Sequence, residues 1–335
     1  MAGVPIPAAT EAEWLAARAR GVTASEIAIV LGLAPADWQS AFSLYHQKTG
    51  DLPPAGDSLE LRVGRHFEPL VCELFAERYP GLQVHGNGRT LYAHPGRPWQ
   101  MATPDRLLSE SWSGPVDGPD LIEEVTHPVG VLEAKTSASY EGWGEEGSDD
   151  IPVHYRCQAL WQMDVMGVSA ASVACLFLHS RKLRVYELTM DDAAGADLKL
   201  MREEAEAFLD RIARRDEPDV DWRPATADAL KRLNEGIEDR DITVGRQMAR
   251  SYRAAQRRCK EAERRKDLMA NRVLQAIGTG HRALDPDGKP VATRSVYEDR
   301  RVSGPLVRER HPAIAAECTV TKDVTKLIPA RGDKS

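Results

Sequence analysis

The segment VGVLEAKTS, Val129 to Ser137, sets Glu133 and Lys135 one residue apart at the end of an otherwise apolar run. Side chains alternate across a strand, so these two share one face while Leu132, Ala134 and Thr136 take the other. An isolated pair of this kind is most often a plain ion pair at a strand end. A second carboxylate changes the reading. Asp105 follows Pro104 in QMATPDRLL, at the end of another expected strand. Two carboxylates brought to adjacent strand ends repel unless a cation lies between them. Mg2+ suits that place, being a hard ion that takes oxygen ligands and keeps several waters. A neighbouring ammonium then orients one of those waters or helps to deprotonate it, which makes a hydrolytic site for phosphodiesters.

Several elements must position these groups. Residues 11–50 read as three helices, with Thr23 or Ser25 capping the second and Gly50 ending the third. After a Pro/Gly/Asp linker, residues 58–79 show apolar positions at helical spacing from Leu59 to Phe75, with Pro69 as a kink or a restart. Residues 82–93 and 98–108 read as strands, and 109–128, rich in Gly, Pro and acid, as a loop. The Glu133 strand comes next, then a helix over 153–166. Two strands follow (AASVACLFLH and KLRVYELT), and a helix over 191–214 closes the unit. This order predicts a mixed sheet flanked by helices. Residues 216–243 read as a connector. Residues 244–335 read as a basic helix over 244–277, a hairpin turning at Asp287-Gly288 and a tail.

Other residues fall into register with the acid pair. Glu68 lies in VGRHFEPLV on the helix before the strands. VHYRCQALWQMDVMG puts Tyr155, Gln158 and Gln162 on one face of the helix after Lys135, and EWLAARARGVTASEI offers Arg18 and Ser25. The pattern Pro104-Asp105, twenty-seven residues, Glu133-x-Lys135 is the signature of the PD-(D/E)XK nucleases. With the Trp14/Arg18/GVTASE stretch, Gly64-x-x-x-Glu68, Thr103-Pro104-Asp105 and Tyr155-x-x-Gln158, roughly residues 11–215 resemble the lambda-exonuclease family, also called the YqaJ-like viral recombinases. The resemblance implies an α/β (α+β) fold with a PD-(D/E)XK, restriction-endonuclease-like core in residues 1–215. A helical C-terminal extension follows.

The same resemblance implies roles. Asp105, Glu133 and the Ala134 carbonyl would hold the catalytic Mg2+. Glu68 would help Asp105 bind a second ion, with Mn2+ able to substitute. Lys135 would position the attacking water. Arg18, Ser25, Thr103 and Gln158 match positions that cradle a terminal 5′-phosphate; a guanidinium and neutral donors at a helix start suit that task. Tyr155 and Gln162 are supporting residues, and Tyr155 and Trp161 also read as packing. Two features depart from the family pattern. Arg106 stands where Gly is common, and the 109–128 insertion holds Glu123 and Glu124, either of which could replace a ligand if the strand register slips.

The implied activity is Mg2+-dependent 5′-to-3′ degradation of double-stranded DNA ends, leaving 3′ tails for phage-type recombination by single-strand annealing. Implied partners are DNA ends, a single-strand annealing protein and two further copies of the chain in a ring-shaped trimer. The alternatives are a single-strand or structure-selective nuclease of Cas4-like or RecB-like kind, and an end-binding scaffold that no longer cuts. Composition is compatible with all three. The chain has 335 residues, 42% hydrophobic and 28% charged, and a net charge of −7. No apolar run is long enough to span a membrane, and the N-terminus lacks the pattern of a signal peptide. Five scattered cysteines fit a reducing cytoplasm and no iron–sulfur or zinc spacing. The negative total hides a basic stretch: Arg246 to Arg272 carries ten Lys/Arg against three Asp/Glu. Its stripe of Met248, Tyr252, Cys259 and Met269 suits a helical hairpin or coiled coil, and its arginines suit DNA phosphates.

Overall fold

The computed structural model describes residues 3–54, 56, 58–86, 88–110, 128–236, 238–298, 300 and 302–320. Glu123 and Glu124 lie outside the described residues. The chain forms two compact units, Met1–Glu235 and Gly236–Ser335.

The first unit opens with β1 (Val4–Ile6), α1 (Glu11–Arg18), β2 (Val22–Thr23), α2 (Ala24–Val30) and α3 (Ala41–Lys48). α4 (Leu59–Arg78) follows, capped by the Ser58 side chain accepting from the Leu61 amide, and it runs unbroken through Pro69. Next come β3 (Leu82–His85), β4 (Leu91–His94), β5 (Arg97–Ala102), β6 (Arg106–Glu110) and β7 (Gly130–Ser137). The two strands expected over 82–93 and 98–108 are thus four. Gly86 and Gly88, at φ 90° and 69°, turn the chain between β3 and β4. Pro104 has no N–H for a ladder and separates β5 from β6. α5 (Val153–Met166), β8 (Ala170–Phe177), β9 (Lys182–Thr189) and α6 (Asp192–Arg214) match the sequence expectation to within a residue or two.

The main sheet has order β3-β6-β7-β8-β9. β7 and β8 run parallel, bridged by α5, and the other pairs are antiparallel, so the sheet is mixed. A second sheet has order β1-β4-β5-β2, with β2 parallel to β5. Alternation along β7 divides the core. Leu132 packs with Val71, Cys72 and Phe75 of α4 on one face. Val131 belongs to the larger core on the other face, with Leu160, Trp161 and Met163 of α5 and Ile27 of α2. α5 is buried nearly all round, so its polar side chains must find partners inside the protein. This is the helix-flanked mixed sheet that the element order predicted.

The connector expected over 216–243 contains a helix, α7 (Pro224–Leu233), that belongs to the first unit. Ala229 packs with Phe42 and Leu52, and Thr226 Oγ1 donates to Ser40 Oγ at 2.7 Å. The Arg223 guanidinium donates to the carbonyls of Gly32, Ala34 and Pro35. The compact unit therefore reaches Glu235, twenty residues past the expected end at 215.

The second unit holds α8 (Arg246–Ile277), the hairpin β10 (Arg282–Leu284) and β11 (Pro290–Thr293), α9 (Gly304–Arg310) and α10 (Pro312–Glu317). Gly288 takes φ 79° at the expected hairpin turn. α8 has no buried residue among those described, and Met248 and Tyr252 of its apolar stripe stand exposed. No described helix is long and apolar enough to cross a membrane.

Candidate active site

β6 and β7 pair with Arg106 opposite Leu132, and one step further along places Asp105 opposite Glu133. Asp105 is fixed there by a hydrogen bond in which the Ala134 amide donates to its Oδ2 at 2.8 Å. Glu133 is 2% exposed and points toward α5. Its Oε1 accepts from the Lys135 ammonium and from Gln158 Nε2, and its Oε2 accepts from Gln162 Nε2 at 2.6 Å. Lys135 Nζ also donates to Gln158 Oε1 at 3.2 Å and lies 4.8 Å from the centre of the Tyr155 ring. Tyr155 in turn packs on Trp143, with ring centres 5.6 Å apart. The structure thus brings Asp105, Glu133, Lys135, Tyr155, Gln158 and Gln162 together. Trp161 is pure packing: it is fully buried and its indole N–H donates to the Met101 carbonyl.

The electrostatics of this cluster follow from a buried and a half-buried carboxylate sharing one ammonium. Burial and the Glu133 charge push the Asp105 carboxyl well above its ordinary range, against the pull of Lys135. Burial works against the charged form of Lys135, but Glu133 and Asp105 outweigh it and hold the ammonium above its usual value. Lys135 is therefore a fixed cation at neutral pH, suited to orienting a water or countering a phosphate charge rather than to accepting a proton. The Tyr155 phenol is also pushed up, mainly by burial.

Glu68 has an ion-pair partner of its own. Its carboxylate accepts from Arg106 Nη1 at 3.0 Å, and the same nitrogen donates to the Asp105 carbonyl. Among the described residues, no three or more His, Cys, Asp and Glu side chains gather as a metal-binding cluster. The strand ends offer two carboxylates and the Ala134 carbonyl. Beside them, Gln162 Oε1 is buried with no hydrogen-bond partner among the described residues, which is an acceptor suited to the waters of a hydrated cation.

A second polar cluster forms around Arg18. Its Nη2 donates to Thr23 Oγ1 at 3.1 Å and to Ser25 Oγ at 3.2 Å, and its guanidinium covers the Trp14 ring at 4.5 Å. Parallel pairing of Val22 with Gln100 and Thr23 with Met101 carries Ser25 and Thr103 toward the same end of the β2–β5 pair. The close strand approach depends on Gly21, where a Cβ would lie 2.1 Å from the Trp99 carbonyl oxygen. Gln158, by contrast, bonds to Glu133 and Lys135 rather than to Arg18.

Two residues of the Arg18 cluster, Glu26 and Lys48, escaped the sequence reading, which names Thr23 as a cap. Thr23 and Glu26 form a cap, the Thr23 amide donating to Glu26 Oε2 at 2.9 Å. That one was available in the sequence as Thr-x-x-Glu before an apolar run. Lys48 had no local signal. It reaches back from α3 to Glu26 Oε2 at 2.9 Å and to the Arg18 and Gly21 carbonyls. Burial raises the Glu26 carboxyl, but Lys48 and Arg18 outweigh it and hold the group below its ordinary value of 4.5. A lowered folded value stabilises the fold above that pH, and the contribution disappears as pH falls through the folded value. Glu26→Gln should therefore lose stability against urea near pH 7, with the gap to the parent protein closing toward acid. A pH-independent gap counts against this ion cluster.

The site and the fold together define a class: a mixed α/β domain with an acid, acid and lysine set at the ends of adjacent central strands. Residues 13–169 match the model of the YqaJ-like viral recombinase domain. An uncharacterised protein YqaJ of Bacillus subtilis (strain 168) is 25% identical over 224 residues, which is 66% of this chain and 62% of the relative. The chain thus spans less than two thirds of the length of that relative. Crystal structures of the alkaline exonuclease LHK-Exo from Laribacter hongkongensis align over 62% of this chain and 94% of theirs. The complex with dAMP aligns with a TM-score of 0.45 at 20% identity, and the other structure with 0.44 at 21%.

Proposed function

We propose that this chain is a divalent-metal-dependent exonuclease that degrades double-stranded DNA from a phosphorylated 5′ end and leaves a 3′ single-stranded tail. The observation that carries the reading is the Ala134 amide bond to Asp105, which holds that carboxylate beside Glu133 and Lys135. The match to the recombinase domain model supports the same reading. Asp105, Glu133 and the Ala134 carbonyl would hold Mg2+, or Mn2+ in its place. When bound, such an ion supplies Lewis-acid polarisation of a phosphate oxygen and an ordered coordination shell. Lys135 places a positive charge where the attacking water and the scissile phosphate meet. Gln158 and Gln162 hold Glu133 in one rotamer, and Tyr155 covers the Lys135 side chain from solvent.

Arg18, Ser25 and Thr103 form the end-recognition side of the proposal, while Gln158 bonds to the reacting groups Glu133 and Lys135. Glu26 and Lys48 hold Arg18 and Thr23 in place. Arg18→Ala should reduce the preference for a 5′-phosphate over a 5′-hydroxyl end by roughly 10–100-fold, the worth of a charge-assisted bond to phosphate. Initial rates on the two matched duplexes measure it, and an unchanged preference removes Arg18 from the pocket.

The reading extends to a homotrimeric ring threaded by DNA, acting in a reducing cytoplasm and passing its 3′ tail to a single-strand annealing protein. Sedimentation of the full chain tests the trimer. The central experiment is an end-labelled duplex incubated with Mg2+ or with EDTA. Stepwise loss of the 5′-labelled strand only with Mg2+ is expected; an intact duplex in both leaves an end-binding protein.

A further inference from the structure

Glu68 and Glu133 stand on opposite faces of the sheet, and Arg106 explains why that separation holds. Arg106 is the cross-strand partner of Leu132, and cross-strand partners share a face. Leu132 packs against α4, so the Arg106 side chain is directed to the α4 face, where Glu68 lies. Asp105, one residue earlier, turns to the other side with Glu133. The Arg106–Glu68 pair is largely enclosed, at 14% and 25% side-chain exposure. The same nitrogen is also tied to the Asp105 carbonyl. Gly88, at φ 69°, closes the space above. A Cβ there would lie 2.8 Å from Glu68 Oε1 and 3.4 Å from Arg106 Nη1.

We propose that Arg106 is the resident counter-cation of Glu68, so that the site takes one divalent ion, at Asp105 and Glu133, where the family resemblance implies two. The inference rests on the metal-dependent reading above and refines it. A second dication at Glu68 would have to displace a bonded, half-buried charge of the same sign. In this chain the arginine that follows Asp105 supplies the second positive charge from the protein itself. It stands within one residue of a proposed metal ligand.

The test is a Mn2+ titration of the full chain without DNA, with free Mn2+ followed by electron paramagnetic resonance. The parent protein should bind one ion. Glu68→Gln should still bind one, with affinity changed by less than about threefold, because Glu68 holds Arg106 and not the ion. Arg106→Ala frees Glu68 and should bind two. Two ions in the parent protein falling to one in Glu68→Gln overturns the inference while leaving the metal-dependent reading intact. No ion bound by the parent protein overturns both. The parent and Glu68→Gln titrations decide the matter even if Arg106→Ala does not fold.

Discussion

Lys135→Ala is expected to reduce the single-turnover cleavage rate of a 5′-phosphorylated duplex by roughly 10²–10⁴-fold, the usual worth of a group that positions or stabilises charge in the transition state. Lys135 is the cation nearest the buried Glu133 carboxylate, and it is held charged by Glu133 and Asp105 despite its burial. Its replacement leaves both carboxylates and the Ala134 carbonyl in place, so divalent-ion binding should persist. The Arg18 cluster lies on other elements, α1 to α3, and should keep its grip on the DNA end. Fluorescence anisotropy with the same duplex should therefore report an affinity within a few fold of the parent. Normal turnover by the variant removes Lys135 from the mechanism. Lost binding together with lost turnover shows that the lysine serves the fold instead.

Asp105→Asn should do two opposite things. Cleavage should fall by about three orders of magnitude or more, since one of two carboxylates for the cation is gone. In EDTA, however, the variant should be more stable than the parent. Burial and the neighbouring Glu133 and Glu68 charges all raise Asp105, so neutralising this acid relieves like-charge repulsion. The asparagine carbonyl can still accept from the Ala134 amide. A gain of roughly 1–2 kcal/mol is expected, about 3 °C in melting temperature per kcal/mol for a unit of this size.

The sign against pH follows from the raised folded value of Asp105. Its contribution is most favourable below the ordinary carboxylate value of 3.8 and is lost as pH rises through the folded value. In EDTA the advantage of Asp105→Asn should therefore grow with rising pH. Added Mg2+ should reverse the order, because only the parent gains ligand-binding stabilisation. Thermal unfolding with and without Mg2+ at several pH values reads all of this. A variant less stable than the parent in EDTA at neutral pH refutes the repulsion account.

Much of this architecture is local in origin, and local signals were readable. Helical spacing and a glycine stop define α5 as Val153–Met166, and alternation puts Glu133 and Lys135 on one face of β7. Pro104 and the two glycines near 86–88 were equally visible, yet the reading ran strands through them. A period-two pattern continues across a turn that reverses the chain, so periodicity alone misses the break. The end of the first compact unit at Glu235 has no local signal for a related reason. α7 looks like connector sequence, and its membership in the first unit depends on Thr226 meeting Ser40, 186 residues away.

Residue types and spacing along the chain were enough to specify an acid pair with a lysine, the helices on either side and the mixed sheet between them. Caps, periodicity and alternation act over a few residues, and the chain carries them in plain order. The partners of each charge were settled only when distant segments paired. The ladder between β6 and β7 chose which face Arg106 would take and so gave Glu68 an arginine. The packing of α3 near α1 and β2 brought Lys48 to Glu26. A buried charge accepts whichever opposite charge the fold delivers to it, and a one-residue shift in register would have delivered a different one.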